Sequence, residues 1–205
     1  MPVFNITEEK RRLIDLGVIR NGHFALASGL HSREYLNKNA IFVRPEELSR
    51  LCLHLAMRIA PQNPDVIVGP VVGGALIAQW VAYHLSAING KPLRAVFADK
   101  DGDTFVLRRG YGALVTGKSV AIVEDILMTG STIRKVINAV EIDGGNVIGV
   151  SALCNRGGVL GFDDVPHFST LVPFTFDAFK PEECPLCASQ IPISKEFGRG
   201  PPPTT

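Results

Sequence analysis

The stretch AIVEDILMTGST, residues 121 to 132, indicates the fold of this chain more directly than any other segment. An apolar run leads into two adjacent carboxylates, Glu124 and Asp125, and a turn of small residues from Thr129 to Thr132 follows. The residues after the turn, IRKVINAVE, have helical spacing. Strand, small-residue turn and helix in this order are typical of a buried strand that returns through a crossover helix.

The same alternation repeats on both sides of this stretch. Strands are predicted at DVIVG, LRAVFA, SVAIV and NVIGVSALC, and helices at GGALIAQWVAYHLS and STIRKVINAVEID. Repeated strand–helix–strand units imply right-handed crossovers and a mainly parallel sheet. We therefore predict the α/β fold class, with a mainly parallel, twisted sheet flanked by helices.

The N-terminal segment departs from this alternation. Residues 7 to 18 have the pattern of a helix that Thr7 caps and that ends near Gly17. Residues 22 to 39 contain short alternating pieces with glycines, which predict a small N-terminal hood or hairpin. Pro45 then begins a helix with one apolar stripe.

Length and composition favour one domain. The chain has 205 residues, of which 46% are hydrophobic, so it can bury a substantial core. We predict a single domain over residues 1 to 205, with the helix and hood in 1–45 and a tail over about 176–205. The tail is rich in proline and polar residues, and we expect its last residues to be mobile.

Charge and hydropathy exclude several classes of partner. The net charge is only +1, so neither nucleic acid nor an anionic membrane is an expected partner. No apolar run approaches the roughly 18 residues of a spanning helix, and the first residues lack the apolar middle of a signal peptide. We expect a cytoplasmic protein whose four cysteines are reduced thiols.

Two glycine-rich turns follow predicted strands, where open parallel sheets bind their ligands. One is GPVVGG, residues 69 to 74, and the other is the turn from Thr129 to Thr132. The second turn offers three hydroxyls and a helix N-terminus, which favour a phosphate, and Gly130 allows close approach. The alternative is ordinary helix capping by Ser131 or Thr132 without a ligand.

The two carboxylates need a role beside a phosphate, because they would otherwise repel it. Glu124 and Asp125 can accept hydrogen bonds from sugar hydroxyls or help to hold a Mg²⁺ that the ligand carries. The combination predicts a phosphorylated sugar with vicinal hydroxyls. The alternative is a pair of solvated acids, or an ion pair with Arg134 or Lys135. Neither common ATP or NAD motif occurs, which disfavours sites of those types.

At these residues the chain resembles the type I phosphoribosyltransferases, whose signature is an apolar strand, two acids, two further residues and a Thr/Gly/Ser-rich turn. The resemblance implies that fold and the binding of 5-phosphoribosyl 1-pyrophosphate. Glu124 and Asp125 would bind the ribose hydroxyls, and Gly73 and Gly74 of GPVVGG would contact the pyrophosphate. The residues that would wrap the 5′-phosphate are Ile126, Leu127, Met128, Thr129, Gly130, Ser131 and Thr132.

Most of the chain resembles the orotate-specific branch of this family. The hood FALASGLHSREYLNKN is similar to that branch, and Arg156 in VSALCNRGG matches its orotate-binding arginine. An arginine fork suits the carboxylate of orotate; the alternative is a surface arginine at a strand end. The resemblance implies orotate contacts from Arg156, Met128, Tyr35 and Leu36, although many members carry Thr in place of Met128.

The polar segment from residue 99 to 112 would be the catalytic loop of this branch. Lys100, Arg108 and Arg109 are candidates to reach the pyrophosphate, and the alternative is that they are solvated charges. The resemblance gives catalytic roles to Glu124, Asp125, Lys100 and Arg109. It also implies a homodimer, and Mg²⁺ bound mainly through the substrate pyrophosphate without dedicated protein ligands.

The expected activity is therefore transfer of the phosphoribosyl group to orotate, which yields orotidine 5′-monophosphate and pyrophosphate in pyrimidine biosynthesis. One alternative is a purine or other base as acceptor, which would leave Arg156 without a carboxylate to bind. Another is a non-catalytic regulator that binds the phosphoribosyl donor as a signal.

Cys184-Pro-Leu-Cys187 has the spacing of half a zinc site. A closed site needs two more ligands, and Cys52, Cys154 and His167 are remote and unpatterned. We therefore interpret this segment as a structural tail.

Overall fold

The structure is a computed structural model that describes residues 4–26 and 28–198. The helices in this part of the chain are α1 (Ile6–Asp15), α2 (Asn39–Phe42), α3 (Pro45–Ile59), α4 (Gly73–Asn89), α5 (Tyr111–Val115), α6 (Ser131–Ile142) and α7 (Pro185–Ala188). The strands are β1 (Ile19–Ala25), β2 (His31–Leu36), β3 (Val66–Pro70), β4 (Arg94–Asp101), β5 (Thr104–Val106), β6 (Ser119–Leu127), β7 (Asn146–Asn155), β8 (His167–Pro173) and β9 (Ala178–Phe179).

The chain divides into two compact units. The larger comprises Arg44–Phe174, and the smaller comprises Met1–Val43 together with Thr175–Thr205. The assignment of residues 1 to 205 to one phosphoribosyltransferase domain stays a prediction. None of the helices described is long and apolar enough to cross a membrane.

A six-stranded sheet in the order β5-β4-β3-β6-β7-β8 forms the centre of the larger unit. All neighbouring strands pair in parallel except β5, which runs antiparallel to β4 at one edge. The predicted α/β class with a mainly parallel sheet is confirmed. The order of connection reverses between β3 and β6, because the chain moves outward in one direction to β4 and in the other to β7.

The core of the larger unit follows from its apolar strands and helix stripes. Every residue of β3 is buried, as expected for a strand covered on both faces. The apolar stripe predicted for helix α3 is buried. Its residues follow one another at about one helical turn: Leu48, Leu51, Cys52, Leu55 and Ile59. Each predicted strand and helix of the alternating pattern is present, with shifts of a few residues at its ends.

The segment predicted as a loop contains a hairpin and a short helix. Strand β4 continues to Asp101, turns at Gly102, and returns as β5. Helix α5 then precedes β6. Strand β8 was also not predicted, and it pairs with β7 at the other edge of the sheet.

The smaller unit contains a three-stranded antiparallel sheet in the order β1-β2-β9. The predicted hairpin is confirmed by β1 and β2. The cap predicted for the first helix is wrong: Asn5, not Thr7, accepts hydrogen bonds from the first-turn N–H groups of α1. Gly17 follows this helix with a positive φ of 73°, as a helix stop requires.

The C-terminal segment has more structure than a simple tail. Residues Ala178–Phe179 pair with β2, and a 3₁₀ turn at Pro181–Glu183 leads into α7. Further along, the Ser194 N–H donates to the carbonyl of His23 at 2.7 Å. This segment therefore packs against the N-terminal hairpin. The predicted mobile end lies largely in residues 199–205, outside the described residues.

Candidate active site

The reversal of strand order between β3 and β6 marks where a ligand would bind. Open parallel sheets bind ligands at such a point, beyond the carboxyl ends of the strands. Both glycine-rich turns lie there, because GPVVGG follows β3 and the Thr129–Thr132 turn follows β6. A Cβ on Gly74 would lie 2.9 Å from the carbonyl oxygen of Val123. The start of α4 therefore packs directly on β6, one residue before the first acid.

The two predicted acids lie inside β6 rather than after it, since the strand continues to Leu127. Glu124 is 8% exposed and Asp125 is 5% exposed. A Glu124 carboxylate oxygen accepts the N–H of Asp125 at 3.0 Å, and Asp125 Oδ1 accepts the N–H of Ile126 at 2.6 Å. These bonds bend the carboxylates back toward the strand end and hold them in defined positions.

A pocket of about 90 Å³ lies at the end of β6. Its lining begins with Glu124 and continues through the turn into α6; the residues are Glu124, Ile126, Leu127, Met128, Thr129, Gly130, Ser131, Thr132 and Ile133. Eight of the nine were predicted to bind the phosphoribosyl donor; Ile133 was not. Asp125 does not line this pocket.

The turn leaves the N-terminus of α6 open to a ligand. Gly130 occupies the capping position with a φ of 75°, and no side chain in the described part of the chain caps this helix. The predicted alternative, a cap by Ser131 or Thr132, is therefore wrong. Thr129 Oγ1 accepts the Ser131 N–H at 3.3 Å and donates to the Ser131 hydroxyl at 3.1 Å. Beyond this bond to Ser131, the first-turn N–H groups of α6 have no cap from the N-cap residue, and a helix N-terminus of this kind favours an anion.

A larger pocket of about 740 Å³ shares two residues of this turn. Met128 and Thr129 line both pockets. The other lining residues come from α6 and the segment after β7: Arg134, Gly157, Val159, Leu160, Gly161, Phe162 and Asp163. Arg156 was the only residue near this segment that was predicted to bind a ligand, and its side chain is not part of the pocket lining. No residue type in VLGFD indicates a pocket, and only the return into β8 brings this segment beside the turn.

The backbone of Arg156 is held next to the Thr129–Thr132 turn. The N–H groups of Arg156 and Gly157 both donate to the carbonyl of Leu127, at 2.9 and 3.2 Å. A Cβ on Gly157 would lie 1.5 Å from the carbonyl oxygen of Met128. The side chain of Asn155 adds two hydrogen bonds to the backbone of Val159. The backbone from which the Arg156 side chain extends is therefore fixed at the edge of the turn.

The turn predicted to bind pyrophosphate has a buried end and an exposed tip. Gly73 and Gly74 are buried and begin α4, whereas Val71 and Val72 are exposed and joined by a cis peptide bond. A Cβ on Gly69 would lie 2.0 Å from the carbonyl oxygen of Gly74. The glycines therefore allow the turn to fold tightly, and they line neither of the two pockets described above.

Two arginines just after β5 are held by acids of the β4–β5 hairpin. Arg108 forms an ion pair with Asp101 at 2.9 Å, and Arg109 forms one with Asp99. The Arg109 guanidinium also lies 5.4 Å from the ring centre of Phe97. Lys100, Arg108 and Arg109 are exposed and line neither pocket.

The tip of the hairpin contacts α6. Lys135 on α6 donates a hydrogen bond to Asp103 at 2.5 Å and holds the pKa of that carboxyl below its usual value. The side chain of Asp103 is almost fully exposed, so this contact is weak. The ion pair therefore adds little to the packing between the hairpin and α6, in which Phe105 lies against the buried core.

The two predicted orotate contacts in the hood lie in the smaller unit. The Tyr35 ring packs between Phe24 and Phe197, with centre distances of 5.4 and 5.8 Å. Leu36 is buried. Their contact with orotate stays a prediction.

Comparison with known proteins identifies relatives over most of the chain. The family model of the phosphoribosyl transferase domain matches residues 34–176. The orotate phosphoribosyltransferase of Thermoanaerobacter sp. (strain X514) is 38% identical over 185 residues, which cover 90% of this chain and 93% of the relative.

Solved structures share the fold. An orotate phosphoribosyltransferase of Mycobacterium tuberculosis superposes with a TM-score of 0.63 at 20% identity, covering 82% of this chain and 94% of that chain. The same enzyme in complex with 5-phospho-α-D-ribosyl 1-diphosphate gives a TM-score of 0.57 at 19% identity, covering 68% of this chain and 81% of that chain. The matched domain, together with 38% identity across nine-tenths of the chain, shows that this protein belongs to the orotate phosphoribosyltransferase family.

Proposed function

We propose that this protein transfers the phosphoribosyl group of 5-phosphoribosyl 1-pyrophosphate to orotate, in the synthesis of pyrimidine nucleotides. A ring nitrogen of orotate forms a bond to ribose C1 and loses its proton to solvent, the bond from C1 to the pyrophosphate oxygen breaks, and pyrophosphate leaves with the bonding electrons. One observation carries the proposal: the open N-terminus of α6, Glu124 and the backbone of Arg156 meet at the end of β6.

The 5′-phosphate end of the donor would lie in the smaller pocket. Its 5′-phosphate would accept hydrogen bonds from the N–H groups of residues 130–132 and from the hydroxyls of Thr129 and Ser131. Glu124 and Asp125 would accept hydrogen bonds from the two ribose hydroxyls. Positive charge develops on the ribose as the pyrophosphate leaves, and the two buried carboxylates stabilise it.

The leaving pyrophosphate carries concentrated negative charge, which this chain can neutralise with Lys100 and Arg109. Lys100 lies in β4 and Arg109 lies in the segment between β5 and α5, and both side chains are exposed. A movement of this segment would bring the two cations to the donor. Hairpin closure would also exclude water, which would otherwise hydrolyse the donor. The carboxylate oxygens of Glu124 and Asp125 suit Mg²⁺, which would enter with the pyrophosphate and screen its charge.

Orotate would bind in the larger pocket beside the turn. Its carboxylate calls for a planar cationic fork, and Arg156 is the arginine fixed by backbone hydrogen bonds next to Met128. Met128 would pack against the pyrimidine ring. Tyr35 and Leu36 are the further orotate contacts that the family resemblance of the hood implies.

We also propose that the protein acts as a cytoplasmic homodimer on small-molecule substrates. All four cysteines are free thiols, which supports a reducing compartment. Leu76, Trp80 and Tyr83 form one stripe on α4, and Leu76 and Tyr83 are exposed. Aromatic side chains at such a surface are typical of interfaces, and a second copy of the chain is the proposed partner.

The test is an acceptor panel with the purified protein, the phosphoribosyl donor and Mg²⁺. We expect orotate to be consumed, as followed by its ultraviolet absorbance, with one pyrophosphate released per orotate. Adenine, hypoxanthine and guanine should give no product under the same conditions. Consumption of a purine instead of orotate would overturn the proposal. Donor binding without any consumption would favour a regulator that binds the donor.

A further inference from the structure

Four potential metal ligands converge in the smaller unit. They are His23 on β1, His31 on β2, Cys184 just before α7 and Cys187 within α7. Their ligand atoms, two ring nitrogens and two sulfurs, all lie within 4.8 Å of one another. His23, His31 and Cys184 are buried, and Cys187 is partly buried. None of the four has a role in the proposed reaction.

A bulge in β1 brings the first histidine into the cluster. The pairing of β1 with β2 shifts register between Asn21 and Phe24. As a result His23 and Phe24, although consecutive, are both buried. A bulge is the usual device for redirecting a side chain within a strand. His31 then faces the same region from β2, where it pairs with Ala25.

Four distances between the ligand atoms lie within about 0.4 Å of those in a tetrahedral zinc site. Zn–N bonds of about 2.0 Å and Zn–S bonds of about 2.3 Å place neighbouring ligand atoms roughly 3.3–3.8 Å apart. His31 Nδ1 lies 2.9 Å from His23 Nε2 and 3.2 Å from the sulfur of Cys187. His23 Nε2 lies 3.7 Å from each of the two sulfurs.

An outer hydrogen bond orients His23 for metal binding. Its Nδ1 lies 2.6 Å from the carbonyl oxygen of Ile191. Because a carbonyl only accepts, Nδ1 carries the proton and Nε2 directs its lone pair toward the two sulfurs. Metal-bound histidines have this arrangement, with the second ring nitrogen donating to a carbonyl or carboxylate.

We propose that His23, His31, Cys184 and Cys187 bind one Zn²⁺ in a closed structural site. Two imidazoles and two thiolates satisfy a tetrahedral zinc ion and leave no position for a substrate. On binding, each thiol releases its proton to solvent. The ion would join the C-terminal segment to the N-terminal hairpin. A unit with one small three-stranded sheet gains much from such a crosslink.

The competing explanations are a dithiol that forms a disulfide and a metal-free hydrogen-bonded cluster. The first would give a Cys184–Cys187 bridge and a mass two hydrogens lower. The second would give neither bound metal nor any response to zinc. Metal content, mass and thermal stability therefore distinguish the three arrangements.

The experiment measures metal in the full-length protein purified without added metal or chelator. We expect about one zinc per chain by elemental analysis, and no more than a small residue in Cys184→Ser and in Cys187→Ser. Cys52→Ala and His167→Asn are the matched controls and should keep the full zinc content. Cys52 and His167 lie outside the cluster of four ligands found in the described part of the chain.

A second measurement uses the unaltered chain, in case the cysteine variants fail to fold. Zinc is removed with a chelator under reducing conditions, and Zn²⁺, Co²⁺ or Mg²⁺ is then added back. Zn²⁺ should raise the melting temperature by about 5 °C or more, and Mg²⁺ should have no such effect. Co²⁺ should give the intense visible bands of a tetrahedral site with thiolate ligands. Purified protein without zinc that shows no thermal response to Zn²⁺ would overturn the proposal, as would a native disulfide or full zinc content in folded Cys187→Ser.

Discussion

Met128 is one of the two residues that line both pockets, and it is 47% exposed. We predict that Met128→Thr lowers the KM for orotate about three- to tenfold, because a hydroxyl adds one hydrogen bond of about 1 kcal/mol to the base. The KM for the phosphoribosyl donor should stay unchanged. Steady-state kinetics with each substrate varied in turn measures both values. A rise in the KM for orotate would show instead that Met128 stabilises the ring by packing.

Gly157 shows how closely the segment after β7 approaches Met128, just before the Thr129–Thr132 turn. Gly157→Ala would force a Cβ into the carbonyl of Met128, so we predict a loss of about 2 kcal/mol or more in unfolding free energy and a large loss of activity. Gly161→Ala is the matched control, since a Cβ there meets nothing within 4 Å. Denaturant unfolding of both variants measures the difference. Equal stability of the two would contradict the close packing.

Single residues were predictable where local chemistry decides their position. The position of Glu124, Asp125 and the Thr129–Thr132 turn around the end of β6 was predictable, because these residues are adjacent in sequence. The pairing of His23 and His31 with the two distant cysteines was missed, since it depends on a bulge and on the path of the C-terminal segment. The spacing of the cysteines showed half of the cluster and gave no sign of the other half.

The β4–β5 hairpin is the element on which the proposed chemistry of pyrophosphate release depends. We predict that Arg109→Ala lowers kcat about 10- to 100-fold, because one charge-assisted contact to the leaving group is lost. The melting temperature should change little, since Arg109 is exposed.

Asp103→Asn is the control within the same hairpin. It removes only an exposed contact to Lys135, so kcat should stay within about twofold of the wild type. Stopped-flow or steady-state assays at saturating substrates compare the two variants. If Arg109→Ala and Asp103→Asn behave alike, the hairpin arginine is only a solvated charge.

Elements with strong periodicity were predictable, and edge elements were not. The buried strands β3, β6 and β7 have continuous apolar runs, which only a covered strand explains. By contrast β5 has three residues and lies within a polar segment. It is a strand because it pairs with β4, which the local sequence does not reveal. Strand β8 is also an edge strand, and its HFSTLVP sequence lacks a continuous apolar run.

At the scale of the whole molecule, the exposed stripe of α4 predicts self-association. We expect light scattering after size exclusion to give the mass of two chains for the wild type. Tyr83→Asp should shift the mass toward one chain, because a charge would enter an apolar interface. Lys118→Asp, at an exposed position away from α4, is the control and should remain a dimer. A wild type with the mass of one chain would contradict the homodimer.

The α/β class followed from the alternation of strands and helices, but the strand order did not. The reversal between β3 and β6 is set by long-range pairing, and it places the two glycine-rich turns at the same edge of the sheet. The division into two units was also hidden, because the smaller unit joins segments from both ends of the chain.

The proposed function depends above all on recognition of the orotate carboxylate by Arg156 beside a phosphoribosyl site. The most direct test is kcat/KM for orotate in Arg156→Ala and Arg156→Lys, together with the dissociation constant of the donor measured by calorimetry. We predict a loss of about 100-fold or more for Ala, partial recovery for Lys, and donor affinity within about threefold of the wild type. Orotate consumption by Arg156→Ala at the wild-type rate would contradict the account.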